Sequence, residues 1–426
     1  MNKVYIFGAG NNAYGVVSYI GCENVIAIID NEKKKQGDRL LGIPIISLNE
    51  YVAKNNNEQI VISAAIYNEI IIQLEERNIH NYSVAPILSR GMVSPEEIYI
   101  KCGLEKDREI VIFGSNIVSD KFIDYITQNH KDLRYEMICD SINEVHNDFN
   151  YRRKVIVFKE NIELRDKEFL SNFQEICDVY EIIGEERKEK MSKLIRFKDK
   201  HKDERCFIVC NGPSLRISDL EKLYDNNIYT FGCNLIFKMY SDTYWRPNAY
   251  VITEFGLYKT YYDEIRDLKK DNNEVFVKGI CEIEQMKELD GINYYYEDCR
   301  RKYYENEVFS DDIVRGVYSG YTVAYDMIQI AVYMGFSEIY LIGADFNYNG
   351  DAAQKGNHVY DSKFQDKRKM AGRSYIDCSI NAMEVSRKYA EAHGIKIYNA
   401  TRGGKLEVFE RKELDELFKG YFKRAN

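Results

Sequence analysis

The sequence has little of what marks flexible linkers, membrane spans and zinc sites. Five prolines among 426 residues and the lack of any long low-complexity stretch leave little room for linkers. No apolar run is long enough to cross a membrane. The ten cysteines include no short-spaced pairs of the zinc-binding type and are scattered through apolar runs. We therefore predict buried free thiols in a reducing compartment and no membrane span.

Acidic residues outnumber basic ones, with 68 Asp and Glu against 59 Lys and Arg. The formal net charge is −9, whereas a domain that binds nucleic acid carries a basic face. An apolar strand pattern begins at once, at Lys3, so no signal peptide is predicted. These features argue against a nucleic-acid partner and predict a cytoplasmic protein.

One pattern of strand, small-residue turn and helix occurs three times. The three turns are Gly8–Asn11, Gly114–Asn116 and Asn211–Ser214, and each follows an apolar strand directly. Short apolar strands that alternate with helical patterns indicate βαβ units and parallel sheets. We therefore predict an α/β protein built of Rossmann-like, doubly wound parallel sheets.

The same pattern divides the chain. We predict an N-terminal Rossmann-like accessory domain at 1–100 and a second small α/β segment with a charged helical connector at 101–200. A larger domain with a C-terminal helix follows at 201–426. The length of the chain is too great for one ordinary core, which agrees with several domains.

The first turn fits the glycine-rich fingerprint of dinucleotide-binding folds. Gly8 and Gly10 allow close approach of a pyrophosphate, and Asp30 stands about 20 residues on, where an acid takes a ribose hydroxyl. No residue that would receive a hydride is evident downstream. The segment also resembles the small N-terminal Rossmann domains of many polysaccharide-synthesis enzymes, in which the fold often serves packing or regulation. We predict an accessory role rather than a redox role.

The third turn is the more informative one. Gly212 has no Cβ to block a ligand, and Pro213 has a fixed φ suited to a first helical position. Ser214 can cap the helix while free N–H groups point at a phosphate. The alternative is an ordinary turn between a strand and a helix.

The third turn is one of four segments that form a further pattern: Asn211–Leu215, Phe231–Asn234, Gly316–Gly320 and Glu338–Phe346. They occur in the same order and with similar spacing as in the bacterial sialyltransferases of glycosyltransferase family 42, which this part of the chain resembles. The layout also resembles the broader domain-of-unknown-function family 115, which includes nonulosonic acid transferases and an archaeal pterin pyrophosphokinase. The resemblance covers about residues 205–402.

The resemblance implies a variant GT-A-like catalytic domain that binds a CMP-sugar and needs no metal or other cofactor. It implies transfer of a sialic or related nonulosonic acid, with inversion, to a surface glycan such as lipopolysaccharide or capsule. The residues it implies for donor binding are Asn211, Gly212, Ser214, Asn234, Thr253, Ser319 and Gly320. Arg315 matches an arginine just before the serine that corresponds to Ser319. Tyr348, together with His358 or Tyr360, matches the region of two tyrosines that stabilise the leaving phosphate.

One departure concerns the general base. The family places a histidine shortly after a tyrosine, but the corresponding segment here, Ser374–Ser379, has none. A base is needed within hydrogen-bond reach of the acceptor hydroxyl. His358 is the first candidate and Asp377 the second. Their alternatives are a solvated loop residue for His358 and a helix cap for Asp377.

The C-terminal run 411–424 places five apolar side chains on one helical face and is basic in its last turn. Docking on its own domain or in a homo-oligomer is favoured, and peripheral contact with the inner face of a membrane is the alternative. The apolar residues of this face are Leu414, Leu417, Phe418, Tyr421 and Phe422.

Two other functions stay open at this point. One is a Mg²⁺-dependent pyrophosphokinase like the archaeal pterin enzyme, for which Asp311, Asp312 and Asp345 are the candidate metal carboxylates. The other is a non-catalytic nucleotide-sugar sensor, suggested by the accessory-like N-terminal half and the missing histidine.

Overall fold

The computed structural model separates the chain into two compact units, the first reaching Glu186 and the second beginning at Arg187. The ranges that the structure describes are 3–54, 57–64, 67–86, 93–139, 149–160, 162–271, 274–279, 291–298, 308–347, 358–359 and 376–418.

The first unit contains two sheets built from short, β-branched strands. The first sheet has the order β3-β4-β2-β1-β5-β6 and is parallel except for the β3–β4 pair. Its strands are β1 (Val4–Phe7), β2 (Val25–Ile29), β3 (Arg39–Leu40), β4 (Ile43–Ile46), β5 (Ile60–Ile62) and β6 (Tyr82–Val84). Its helices are α1 (Asn11–Ile20), α2 (Leu48–Ala53), α3 (Asn68–Glu75) and α4 (Pro95–Lys101).

The second sheet of this unit is parallel throughout and has the order β10-β9-β7-β8. Its strands are β7 (Glu109–Phe113), β8 (Arg134–Ile138), β9 (Lys154–Val157) and β10 (Ile176–Asp178), with helices α5 (Ile117–Asn129), α6 (Leu164–Leu170) and α7 (Val179–Lys190). Side chains of both sheets, such as Ile6 of β1 and Ile112 of β7, belong to one hydrophobic core. A shared core makes the two sheets a single folding unit.

The expectation of free thiols throughout is wrong for one pair. Cys102, which follows α4, and Cys177 of β10 form a disulfide, with Cα atoms 5.8 Å apart. The two cysteines are separated by 75 residues in sequence, so spacing alone carried no sign of the pair. Among the other described cysteines, Cys206, Cys210 and Cys233 are buried and free.

The second unit is built on an eight-stranded sheet in which all pairs of neighbouring strands are parallel. The strand order is β15-β14-β13-β12-β11-β16-β17-β18. The strands are β11 (Arg205–Val209), β12 (Thr230–Cys233), β13 (Ala249–Ile252), β14 (Glu274–Gly279), β15 (Asn293–Tyr296), β16 (Glu338–Ile342), β17 (Lys396–Asn399) and β18 (Glu410–Arg411). The helices are α8 (Ile217–Asp225), α9 (Phe255–Thr260), α10 (Tyr262–Asp271), α11 (Val323–Tyr333), α12 (Ile376–Ala392) and α13 (Leu414–Phe418). The predicted α/β class with parallel Rossmann-like sheets is confirmed.

The strand order reverses at one place. The chain runs outward from β11 to β15 on one side and then returns to β16 on the other side of β11. Helix α11 makes this return and packs against β11 and β13. In an open parallel sheet, the crevice at such a switch point is where ligands bind, at the carboxyl ends of the strands.

A buried ion pair fixes the start of α11 to the sheet. The Asp326 carboxylate, in the first turn, lies 2.7 Å from the Lys278 ammonium of β14. The same oxygen accepts a hydrogen bond of 2.9 Å from the Tyr295 hydroxyl of β15. Asp326 is 2% exposed, so both charges depend on each other for stabilisation. The pair therefore determines where the N-terminus of α11 sits over the sheet.

The described part of the C-terminal helix packs on its own domain. Leu414 and Phe418 are buried, and the Phe418 ring stacks on Phe207 of β11 with centroids 6.0 Å apart. Tyr421 and Phe422 lie outside the described residues. Within the described ranges, every helix is too short or too polar to span a bilayer.

We predict that Asp326→Asn lowers the free energy of unfolding of the second unit by about 3–5 kcal/mol, because it leaves the Lys278 charge buried without a partner. Urea unfolding can be followed through Trp245, the only tryptophan of the chain, which is buried in this unit. The double variant Lys278→Met, Asp326→Leu buries no charge and should recover most of the loss. A loss below about 1 kcal/mol in the single variant would contradict the role given to the pair.

Candidate functional site

The site forms where β11 and β16 end side by side. Pairing continues past both strands, since the Cys210 N–H donates to the Ile342 carbonyl at 2.9 Å and the Gly212 N–H to the Gly343 carbonyl at 2.8 Å. Gly343 has a φ of +63°, which turns the chain sharply after β16. The turn Asn211–Ser214 and the segment that carries Asp345 are thereby brought together at the switch point.

Gly212 is required by this close approach. A Cβ at position 212 would lie 1.8 Å from an oxygen of the Asp345 carboxylate and 2.4 Å from the Gly343 carbonyl oxygen. At these distances any side chain at position 212 would force the carboxylate and the Gly343 carbonyl to shift. The glycine expected to admit a ligand therefore admits the carboxylate of Asp345.

Ser214 binds the same carboxylate. Its hydroxyl donates to Asp345 Oδ2 at 2.8 Å, and its backbone nitrogen lies 3.4 Å from that oxygen. Burial raises the pKa of the Asp345 carboxyl, and the hydrogen bonds from Ser214 oppose the shift. The half-buried carboxyl group of Asp345 thus lies in the turn where we expected the phosphate and ribose of the donor to bind. It was absent from the predicted donor residues, although an acid directly after an apolar strand was visible in the sequence.

Asn211 connects this turn to the end of β12. Its side-chain Nδ2 donates to the Cys233 carbonyl at 3.3 Å. Its Oδ1 is buried and has no hydrogen-bond partner among the residues that the structure describes. The backbone carbonyl of Asn211 accepts from the Val359 N–H at 2.8 Å, which places His358, the preceding residue, beside the switch point.

Asn234 and Thr253 lie together at the ends of the next two strands. Asn234 follows β12 with a φ of +48°, a conformation that asparagine adopts more readily than most residues. Its Oδ1 lies 3.4 Å from the Thr253 backbone nitrogen, which follows β13. The predicted residues Asn211, Asn234 and Thr253 therefore form one continuous row along the carboxyl edge of the sheet.

The segment Ser319–Gly320 lies at the same edge but does not cap the helix. Thr322 caps α11, with its hydroxyl accepting from the Ala324 N–H at 3.3 Å, so the helix begins later than the donor motif suggested. A Cβ on Gly320 would meet the Tyr325 ring at 2.6 Å and the Ala382 side chain at 2.7 Å. This glycine therefore serves the packing of α11 against α12.

Asp377 and Arg315 are both exposed. Asp377 lies in the first turn of α12 rather than at its cap. Arg315 lies in a turn before Val317, which pairs with Glu297 directly beyond β15. Since β15 is separated from β11 by three strands, the strand order sets Arg315 apart from the switch point. Tyr348 and Tyr360 lie outside the described residues.

The three acids considered for a metal do not form one cluster. Asp311 accepts from the Tyr389 hydroxyl at 2.8 Å, and Asp312 accepts from the Val314 N–H at 3.0 Å within its own turn. Both lie near the turn beyond β15, whereas Asp345 lies at the end of β16. Among the described residues, no group of three or more metal-binding side chains is assembled.

The glycine-rich turn of the first unit is occupied by its own acid. Asp30 Oδ2 accepts from the Ala9 N–H at 2.7 Å and lies 3.3 Å from the Lys35 ammonium. Its Oδ1 accepts from the Glu32 N–H at 2.8 Å. The carboxylate that would take a ribose hydroxyl is therefore engaged by neighbouring groups on both oxygens.

Two families of known proteins match parts of the chain. The family described as 6-hydroxymethylpterin diphosphokinase MptE-like matches residues 178–351. The family described as C2185-like, N-terminal, matches residues 1–85. Each spans less than half of the chain. No curated protein matches it significantly.

Two solved structures are similar to parts of the chain. The sialyltransferase CstII from Campylobacter jejuni, in complex with the substrate analogue cytidine-5'-monophosphate, is 19% identical, with 49% of this chain and 85% of that chain covered and a TM-score of 0.33. The MAf glycosyltransferase from Magnetospirillum magneticum AMB-1 is 14% identical, with 73% of this chain and 55% of that chain covered and a TM-score of 0.33.

We predict that Gly212→Ala destabilises the second unit by about 1–3 kcal/mol, the usual cost of forcing atoms into a packed site. Urea unfolding read through Trp245 measures this loss. The control is Glu221→Ala, an exposed position of helix α8 in the same unit. It should leave stability nearly unchanged, as surface substitutions usually do. Equal stability of Gly212→Ala and the control would show that the approach of Asp345 is not a constraint.

Proposed function

We propose that the second unit is a glycosyltransferase that binds a nucleotide-activated sugar at the switch point between β11 and β16. The observation that carries the proposal is the row of Asn211, Asn234 and Thr253 along the carboxyl ends of three neighbouring strands. A crevice with convergent amide, hydroxyl and carboxylate groups at this position of an open α/β sheet suits a nucleotide.

The donor class follows from the motif resemblance. We propose a CMP-linked sialic or related nonulosonic acid, transferred with inversion and without metal to a surface-glycan acceptor. Tyr348 and Tyr360 enter this proposal through the resemblance, as groups for the leaving phosphate. The resemblance also gives Arg315 to the donor carboxylate, but the strand order sets it apart from the switch point, and the proposal does not depend on it. Ser319 and Gly320 enter the proposal as donor contacts at the same edge of the sheet.

His358 is the general base in this proposal. It is held beside the Asn211 turn through the neighbouring Val359 N–H. Asp377 is the second candidate, in the first turn of a helix whose N-terminus faces the same edge of the sheet. An inverting transfer needs one base that takes the proton of the acceptor hydroxyl while the hydroxyl oxygen attacks the sugar.

A diphosphokinase is the second candidate function, favoured by the family match over residues 178–351. That family's description names transfer of a diphosphate to a pterin. Such an enzyme would bind ATP with Mg²⁺, and Mg²⁺ is held by one or two carboxylates together with substrate phosphates. Asp345 is the carboxylate at the switch point that would serve.

The remaining parts of the proposal concern location and partners. We propose a cytoplasmic protein whose first unit is an accessory domain, since its fingerprint acid is engaged by the turn itself. We propose a glycan acceptor and a nucleotide sugar as partners. We also propose a second copy of the chain as a partner of the C-terminal run 411–424, with a membrane surface as the alternative.

We predict that CMP, without added metal, raises the melting temperature more than UDP, GDP, ATP or NAD does. A ligand at 100 times its Kd stabilises by about 2.7 kcal/mol, which thermal-shift measurement detects readily. Stabilisation by ATP that requires Mg²⁺ would favour the diphosphokinase. Stabilisation by NAD that is lost in Gly10→Leu would contradict the accessory role of the first unit.

We predict that His358→Ala lowers kcat by about 10²–10⁴-fold, the usual contribution of a general base, with little change in donor affinity. Steady-state kinetics with CMP-sialic acid and a glycan acceptor, together with calorimetric titration of CMP, separate these effects. Asp377→Ala is the matched comparison. A large loss of kcat in Asp377→Ala, with His358→Ala active, would assign the base to the carboxylate instead.

A further inference from the structure

We propose that Asp345 binds the hydroxyl groups of the donor's ribose, so that the Asn211–Ser214 turn is a hydroxyl-binding subsite rather than a phosphate-binding one. This inference rests on the proposed function, because it requires a nucleotide at the switch point. It changes the expected role of Gly212 and Ser214 from binding the phosphate to positioning the carboxylate.

The first step is that the turn's own donors are already engaged. The Ser214 hydroxyl and backbone nitrogen both point at Asp345 Oδ2, at 2.8 and 3.4 Å. The Gly212 N–H donates to the Gly343 carbonyl. A phosphate has only acceptor oxygens and would have to displace these bonds. A hydroxyl can donate to the carboxylate and leave them in place, since an ionised carboxylate offers about four lone-pair sites.

The second step is charge. No basic side chain in the described part of the chain forms an ion pair with Asp345. Lys405 touches it through the backbone, with its N–H donating to the Asp345 carbonyl at 2.7 Å, while the Lys405 side chain is exposed. Arg402 is paired with Asp219 instead. A phosphate beside an uncompensated carboxylate is repelled, whereas a neutral ribose is not.

The third step is the neighbouring amide. Asn211 Oδ1 is buried and has no hydrogen-bond partner within the described ranges, so a second acceptor stands at the same turn. A buried acceptor left without a partner is costly and gains from a ligand that donates. A ribose diol supplies two donors, which matches the two acceptors. A phosphate supplies none.

The test compares ribonucleotides with their deoxy forms. In wild-type protein, calorimetric titration should show that CMP binds about 10- to 100-fold more tightly than 2′-deoxy-CMP or 3′-deoxy-CMP, the range for a hydrogen bond to a charged group. This comparison needs no variant. If another nucleotide binds best, the same pair of ribose and deoxyribose forms is used for that base.

Asp345→Asn then assigns the effect to this carboxylate. The variant should raise the Kd of CMP and the Kd of cytidine by the same factor, because cytidine has the ribose and lacks the phosphate. The ratio between ribose and deoxyribose forms should fall close to one. Asp203→Asn is the control, since Asp203 is exposed, lies just before β11 at the opposite edge of the sheet, and has a φ of +62° that asparagine tolerates. Urea unfolding through Trp245 checks that both variants are folded.

Three results would overturn the inference. Equal binding of CMP and its deoxy forms to wild-type protein would remove the ribose contact. Tighter CMP binding by Asp345→Asn, with cytidine unchanged, would place the phosphate in the turn. The third result is nucleotide binding that requires Mg²⁺. If Asp345→Asn then abolished this Mg²⁺-dependent binding equally for the ribose and deoxyribose forms, Asp345 would be a metal ligand instead. Failure of every nucleotide to bind would overturn the proposed function itself.

Discussion

The approach of the Gly212 backbone to Asp345 is the constraint on which the second unit's site depends. It holds the turn after β11 against the segment after β16, and these two strands border the switch point. A Cβ at position 212 would overlap the carboxylate, so any larger residue there would have to displace it. The turn's hydroxyl and backbone nitrogen then bind the acid, so the chemistry of the crevice is set by a carboxylate acceptor rather than by free N–H donors.

The remaining site residues follow from the sheet. Asn211, Asn234 and Thr253 come after successive strands, so parallel pairing alone places them in a row at one edge. The Lys278–Asp326 pair fixes α11, and Gly320 lets α11 pack closely on α12 near Asp377. The site is thus the edge of a buried sheet, and its polar side chains are positioned by apolar strands that contribute no chemistry themselves.

The Gly8–Asn11 turn of the first unit and the Asn211–Ser214 turn of the second unit each bind an acidic side chain, but the two carboxylates differ in their partners. In the first unit Asp30 is bound by the Ala9 N–H, the Glu32 N–H and the Lys35 ammonium, and the cation compensates its charge. In the second unit Asp345 is bound through Ser214 and no ion pair involving it occurs in the described residues. The first carboxylate is therefore satisfied within its own loop, while the second retains the capacity to accept hydrogen bonds from a ligand.

The sequence by itself determined the α/β class, the parallel strands and the turns that carry polar residues, because apolar periodicity and small-residue turns are local signals. It also indicated Asn211, Asn234 and Thr253, since residues directly after parallel strands share one edge. Tertiary structure alone decided that Asp345 enters the Gly212 turn, that Arg315 lies beyond β15, and that Cys102 meets Cys177. Each of these depends on strand order or on contacts between residues far apart in sequence, and periodicity within a segment contains no information about which distant segment becomes its neighbour.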